Sequence, residues 1–265
     1  MTKVFLILLG VSLLASICGF KKYVWFISIG YGLAVAATGA VLLGMYHGVL
    51  SIGTALQCIL LIVYGCRLWM FLAYREVKSA SYNATMKKEI KSGKGMSFFV
   101  KAMIWISASL LYVCETSPVW IRLEDNRGTD ALCIIGLIIS ATGVILESLA
   151  DYQKNEAKKK NPHRFVDTGL YKYVRCPNYF GEMLFWTGMF ISGLNIYTGI
   201  AQWLIPLLGY IGIIYVMFGG ARRLEVRQNK NYGSDPVYQE YVKKTPILIP
   251  GTHLYSVEKY TWLKA

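Results

Sequence analysis

Glu147-Ser-Leu-Ala-Asp151-Tyr152, then Lys158-Lys159-Lys160 and Arg164, then Arg175-Cys-Pro-Asn178-Tyr179-Phe-Gly181-Glu182: this polar block, residues 147–182, lies between two long apolar runs, 130–150 and 178–197. A bilayer span needs roughly 20 mostly apolar residues, and both runs meet that length. Acids and amides at the ends of such runs are expensive to hold in or near lipid, so they mark a functional site by default. The block therefore reads as the anion- and cofactor-binding face of an enzyme embedded in a membrane.

Outward from the block the chain stays apolar. Of its 265 residues 55% are hydrophobic and 16% charged, against about 25% charged in an ordinary soluble domain. Seven stretches are long enough to span: 4–20, 23–45, 49–74, 97–116, 130–150, 178–197 and 199–220. The expected fold is all-α, a single polytopic membrane domain over residues 1–265 with about seven transmembrane helices. The first run has one Lys before it and no clean small-x-small cleavage site, which favours a retained span over a signal peptide.

The formal charge of +13 is unevenly spread. Of 28 Lys and Arg, 24 fall in the links after the first, third and fifth runs and in the C-terminal tail; Lys3, Arg122 and Arg127 lie on the other side and Arg67 within a run. The positive-inside rule then puts the N-terminus outside, the C-terminus in the cytosol and the active site facing the cytosol, in a bacterial inner membrane or the endoplasmic reticulum. Topology accounts for the basic charge without nucleic acid, and attraction to anionic membrane lipids adds to it. The six Cys form no CxxC pair; five sit in apolar runs, and Cys176 on the cytosolic side is expected as a thiol.

The outer links, around Tyr46-His47-Gly48, 117–129 and Tyr197-Thr198, are short, and little can be built there. The inner links, 75–96, 151–177 and 221–265, are long enough to carry a site. In the tail, Tyr232-Gly-Ser-Asp-Pro236 reads as a turn. Val237 to Val242 reads as a short amphipathic helix ended by Pro246–Pro250.

Several chemistries are absent. His47, His163 and His253 are scattered, so there is no His-box or HExxH metal site, and no metal is expected. Gly30-Tyr-Gly32 begins like a dinucleotide fingerprint but lies inside a span, where small residues serve close helix packing.

What remains is concentrated. Glu147 and Asp151, four apart, share a helix face at the end of the fifth run, and Asn178 and Glu182 share one at the start of the sixth. Pro177 suits a first helical turn. Lys158 to Lys160 and Arg164 lie between them. Carboxylates and an amide for ribose and nicotinamide, with cations for phosphates, suit a dinucleotide, and the start of the sixth helix adds dipole potential for an anion. The alternative is ordinary capping beside a solvated basic loop. In the third run Tyr64 and Arg67 project to one side; Tyr64 could also be a packed core residue, whereas Arg67 needs a counter-charge such as Glu147, Asp151 or Glu182. Arg222-Arg223-Leu-Glu225 reads either as an interfacial anchor or as a clamp on the same pocket, through Arg223 and Glu225.

The run Gly169-Leu-Tyr171-Lys-Tyr173-Val-Arg175-Cys-Pro-Asn178-Tyr179-Phe-Gly181-Glu182, with Asp151-Tyr152 before it and Tyr241-Val-Lys-Lys-Thr-Pro-Ile-Leu-Ile-Pro250 after it, resembles the signature of the steroid 5α-reductase family. The resemblance covers about residues 55–250. Its Arg-x-Pro-x-Tyr-x-Gly frame is also similar to the isoprenylcysteine carboxyl methyltransferases, but Asn178 with Glu182 favours the reductases. The resemblance implies a seven-helix membrane fold that binds NADPH from the cytosol and reduces the carbon–carbon double bond of an enone in a steroid or lipid-like molecule. It assigns Asp151, Arg164, Asn178 and Glu182 to the cofactor, with Tyr171 and Tyr173 lining that site, and Tyr64 to the substrate ketone. Three positions depart from the family: Glu147 replaces an Asn, Lys158 or Lys159 replaces an Arg, and no acid on an early helix matches the partner of the catalytic tyrosine, Tyr46, His47 and Gln57 being the nearest polar groups.

The expected reaction is hydride transfer from NADPH to the β-carbon of a hydrophobic enone, with Tyr64 polarising the carbonyl and Arg67 assisting. Two rivals stay open: an S-adenosylmethionine-dependent lipid methyltransferase and a non-catalytic lipid-binding membrane protein.

Overall fold

The computed structural model describes residues 1–78 and 95–263. Most of the expected inner link 75–96, with Lys87, Lys88, Lys91 and Lys94, and the terminal Lys264 lie outside the described residues. Among those described, every regular element is helical: α1 (Thr2–Ser16), α2 (Ile29–Met45), α3 (Ile52–Lys78), α4 (Phe98–Glu115), α5 (Ser117–Glu124), α6 (Ala131–Lys160), α7 (Pro177–Gly193), α8 (Ile200–Tyr232) and α9 (Pro236–Lys244), with 3₁₀ turns at Ile17–Phe20, Tyr23–Ile27 and Gly169–Lys172.

Among the described residues, six helical segments are long and apolar enough to cross a membrane: Thr2–Phe20, Tyr23–Met45, Ile52–Lys78, Phe98–Glu115, Ala131–Lys160 and Ile200–Tyr232. Large apolar side chains such as Leu14, Ile52, Ile138, Ile145 and Leu208 stand exposed on them. Water would not tolerate so much exposed apolar surface, but lipid does. The run 178–197 forms a shorter helix than its composition suggests. α7 has 17 residues, about 26 Å at 1.5 Å each. It stops at Gly193 because Tyr197 folds back there: a Cβ on Gly193 would lie 1.9 Å from the Tyr197 hydroxyl.

The chain divides into two compact units, residues 1–137 with 189–210, and 138–188 with 211–265. In the first, α2 and α3 pack through glycine. A Cβ on Gly32 would lie 2.8 Å from the Gly65 carbonyl, and one on Gly65 would lie 2.4 Å from the Gly32 carbonyl. The small residues of the second run thus do what their position suggests, bringing two backbones together.

The link 117–129, expected to build little, instead forms the buried helix α5. Pro118 occupies its first turn, and Trp120, Ile121 and Arg122 are fully buried. Arg122 makes this possible by reaching Asp130 and the Gly128 carbonyl, both at 2.6 Å, the Ser192 carbonyl, and Asn195 Oδ1 at 3.2 Å. Asp130 is held below the usual carboxylate range although its burial acts the other way, because Arg122 and the Cys133 amide bond its charged form.

The second unit is built around the crossing of α6 and α7. A Cβ on Gly143 would lie 2.5 Å from the Phe185 nitrogen, and one on Gly181 would lie 2.7 Å from the Glu147 nitrogen. Ser140 donates to the Phe185 carbonyl at 2.8 Å beside the crossing. The tail forms the expected elements. Asp235 caps α9 by accepting from the Val237 amide at 2.9 Å, and Ile247, Leu248 and Val257 beyond it are fully buried.

Candidate functional site

The ten residues expected to hold a cofactor all belong to the second unit. The crossing of α6 and α7 governs Glu147, Asp151, Asn178 and Glu182. Gly181, one residue before Glu182 and three after Asn178, meets the Glu147 backbone directly, so the two helix-end pairs are brought side by side. Glu147, Asp151 and Glu182 are buried. Asn178 Oδ1 is buried and meets no hydrogen-bond donor among the described residues. An amide oxygen held that way costs roughly 1–3 kcal/mol until a donor arrives. The cluster thus carries carboxylate and amide acceptors suited to the N–H and O–H groups of a polar ligand.

Tyr171 closes this cluster from the Gly169–Lys172 turn. It is buried, donates to the Ala150 carbonyl at 3.3 Å, and accepts on its own carbonyl from Tyr241 at 2.7 Å. Burial pushes its phenol well above the ordinary range, and the nearby charge of Asp151 adds to the effect. The turn depends on Gly169, whose φ of +62° suits glycine. Gln153 Oε1 packs against Gly169 and accepts from the Leu170 amide at 2.8 Å. Tyr173, two residues on, is exposed.

The basic loop is anchored by a buried aromatic residue, while Lys159, Lys160 and Arg164 stay exposed. Phe165 sits among Tyr238, Tyr241 and Tyr232, with ring centroids 5.1, 5.4 and 5.9 Å away. This anchor fixes the cations beside it. Arg164 stacks over Phe165 at 5.0 Å and pairs with Asp167 at 2.6 Å. Lys158 donates to Tyr232 at 3.0 Å and to the carbonyls of Pro162 and Arg164. A groove of about 600 Å³ runs along the loop, lined by Tyr152, Gln153, Lys160, Arg164, Phe165 and Asp167 among others.

Glu225 and Arg223 part company. Arg223 is exposed. Glu225 is 2% exposed, accepts from Arg175 at 2.7 Å, and takes the Val257 amide at 2.8 Å. Arg175, also 2% exposed, donates in addition to the Tyr255 carbonyl, and its amide donates to the Pro246 carbonyl at 2.9 Å. The Arg175–Glu225 pair therefore fastens the tail to α8, with one Glu225 oxygen on Arg175 and the other on the Val257 amide. Cys176, next to it, is buried, and burial pushes its thiol up to about 12 even though Lys154 and Arg175 oppose the shift.

Tyr64 and Arg67 belong to the first unit. Tyr64 is fully buried, and its hydroxyl lies 3.1 Å from that of Tyr31 on α2. The ring of Tyr31 packs on Tyr112 at 4.9 Å, and Tyr112 donates to the Phe26 carbonyl at 2.7 Å. Arg67 is half-buried with its guanidinium 5.9 Å from the Phe71 ring, which also carries Arg75 at 5.6 Å. Of the polar groups nearest Tyr64 in the sequence reading, Tyr46 bonds Glu124 at 2.6 Å, His47 is exposed, and Gln57 donates to Ser192 at 2.7 Å.

Tyr31 and Gln153 carry no sign of a role in the sequence alone, and Arg175 stands in the motif without one. Tyr31 lies inside Gly30-Tyr-Gly32, which reads only as packing, yet those glycines bring its helix close enough to α3 for the two hydroxyls to meet. Arg175 could have been suspected, since it stands next to Cys176-Pro177 and Glu225 is the acid just past the last run.

Residues 16–245 match the family model described as Protein of unknown function (DUF1295). The chain is also 26% identical over 170 residues to the Uncharacterized protein C594.04c of Schizosaccharomyces pombe, an alignment covering 56% of this chain and 49% of that protein. This chain thus matches about half the length of that curated relative. No solved structure matches.

Proposed function

The chain belongs to the DUF1295 family, and from that premise we propose that it is a membrane-embedded, NADPH-dependent reductase of hydrophobic enones, built like the steroid 5α-reductases with α7 as a seventh membrane helix. The observation that carries the reading is the buried acceptor cluster where α6 crosses α7, with the unsatisfied oxygen of Asn178 among Glu147, Asp151 and Glu182. A carboxamide N–H satisfies such an oxygen, ribose hydroxyls satisfy the carboxylates, and the anchored Arg164 and Lys158 suit phosphates.

Asn178, Asp151 and Glu182 would hold NADPH, with Tyr171 closing the site, and the cofactor would supply a hydride. The protein's own work is orientation and charge stabilisation. Tyr64 donates its hydroxyl hydrogen to the carbonyl oxygen of the enone as negative charge develops there. A donor already in place, in a dry apolar bundle, contributes most to such a step. The apolar first unit suits a flat hydrophobic substrate arriving from the lipid.

The test is NADPH oxidation by the purified protein in nanodiscs with steroid and lipid-like enones. Wild type turns over, and Tyr64→Phe loses roughly 10²–10³-fold in kcat while still binding NADPH. Full activity in Tyr64→Phe would remove Tyr64 from the mechanism.

A further inference from the structure

We propose that Tyr31 is the positioning residue of Tyr64: it donates its hydroxyl hydrogen to the Tyr64 oxygen and so directs the single Tyr64 proton at the substrate carbonyl. This rests on the reductase reading above.

The geometry is specific. The two hydroxyl oxygens are 3.1 Å apart, within hydrogen-bond reach, and the rings meet edge to face with centroids 6.2 Å apart at 74°. Both rings are buried. The glycine contact between α2 and α3, one residue along from each tyrosine, sets the spacing of the pair. Tyr112 packs against the Tyr31 ring with centroids 4.9 Å apart, and it donates its own hydroxyl to the Phe26 carbonyl.

The direction follows from counting protons. Each phenol has one to donate. A ketone oxygen only accepts, so it must take the Tyr64 proton. Tyr64 is then left as an acceptor toward Tyr31, and Tyr31 must donate. A donated bond to the Tyr64 oxygen also strengthens Tyr64 as a donor, since bonds in a chain polarise one another. No covalent bond changes at Tyr31; it orients and does not touch the substrate.

Tyr31→Phe keeps the ring and removes only the hydroxyl. Residue 64 is replaced by 3-fluorotyrosine, and its ¹⁹F resonance is recorded in nanodiscs with and without Tyr31→Phe, with no substrate or cofactor present. In parallel, kcat and KM are measured for the unlabelled proteins. The expected result is a shifted ¹⁹F resonance, a fall in kcat of roughly 3- to 10-fold, an unchanged KM and an unchanged melting shift with NADPH. An unmoved resonance overturns the hydrogen bond, whatever the protein catalyses. A moved resonance with unchanged kcat overturns the role in turnover. A wild-type protein inert toward every enone, with the resonance still moving, sinks the reductase reading and with it the role, while leaving the bond itself demonstrated.

Discussion

In the first unit Tyr31 and Tyr64 meet as hydroxyls 3.1 Å apart among apolar helices, whereas in the second Arg175 and Glu225 meet as a buried ion pair at 2.7 Å, with Arg175 three residues before Asn178. Glycine joins the helices in both, at Gly32 and Gly65 in one and at Gly143 and Gly181 in the other. What is presented beside the glycine contact differs. The first unit offers phenols suited to a carbonyl in an oily molecule. The second offers carboxylates, an amide and anchored cations suited to a charged, hydrogen-bonding one. Close helix packing is thus the common device, and the polar residues flanking it set the chemistry.

The comparison breaks most visibly at the ion pair. Arg175→Ala leaves Glu225 charged and buried, which costs about 3–5 kcal/mol. Thermal unfolding should show a large loss, and limited proteolysis should release the tail. The double replacement Arg175→Met with Glu225→Leu should recover only part of that loss, because it removes the stranded charge but leaves the Val257 amide and the Tyr255 carbonyl without their partners. Equal destabilisation by the single and double variants would mean that the pair acts as something other than a fastener.

A smaller effect is expected at Asn178. Asn178→Ala removes a buried oxygen that has no donor, so the ligand-free protein should melt at the same temperature or slightly higher. NADPH affinity should fall roughly 10-fold or more, since about 1–3 kcal/mol of satisfied hydrogen bonding is lost. Isothermal titration of both proteins distinguishes this from a structural role, which would lower the melting temperature without ligand.

The smallest effect concerns Cys176. Its thiol, raised to about 12 by burial, carries little thiolate at pH 8, and the thiolate is the reactive form. A maleimide should label Cys176 far more slowly in the folded protein than after unfolding in detergent; early labelling of Cys176 in the folded protein would show that the base of α7 opens.

Much of this was legible in the sequence, for identifiable reasons. Runs of about 20 apolar residues declare membrane helices because lipid selects for them along the whole segment. The i, i+4 spacing of Glu147 with Asp151 and of Asn178 with Glu182 declares shared faces because a helix imposes it. The turn and helix of the tail show through Gly233, Asp235 and Pro236. Long-range pairing was not legible. Nothing local says that Arg122 finds four partners and so turns the link 117–129 into a buried helix, or that Tyr197 folds back on Gly193 and ends α7. Tyr31 was hidden for the same reason: its meaning lies on α3, 33 residues away.

What the second unit binds decides the chemistry of the protein. The most direct measurement is the melting temperature of the purified protein with NADPH and, separately, with S-adenosylmethionine. At a ligand concentration of 100 Kd, binding stabilises by about 2.7 kcal/mol. A shift with NADPH, absent with S-adenosylmethionine and lost in Asn178→Ala, is the predicted result. A shift with S-adenosylmethionine alone would make the protein a methyltransferase, and no shift with either would contradict the cofactor site altogether.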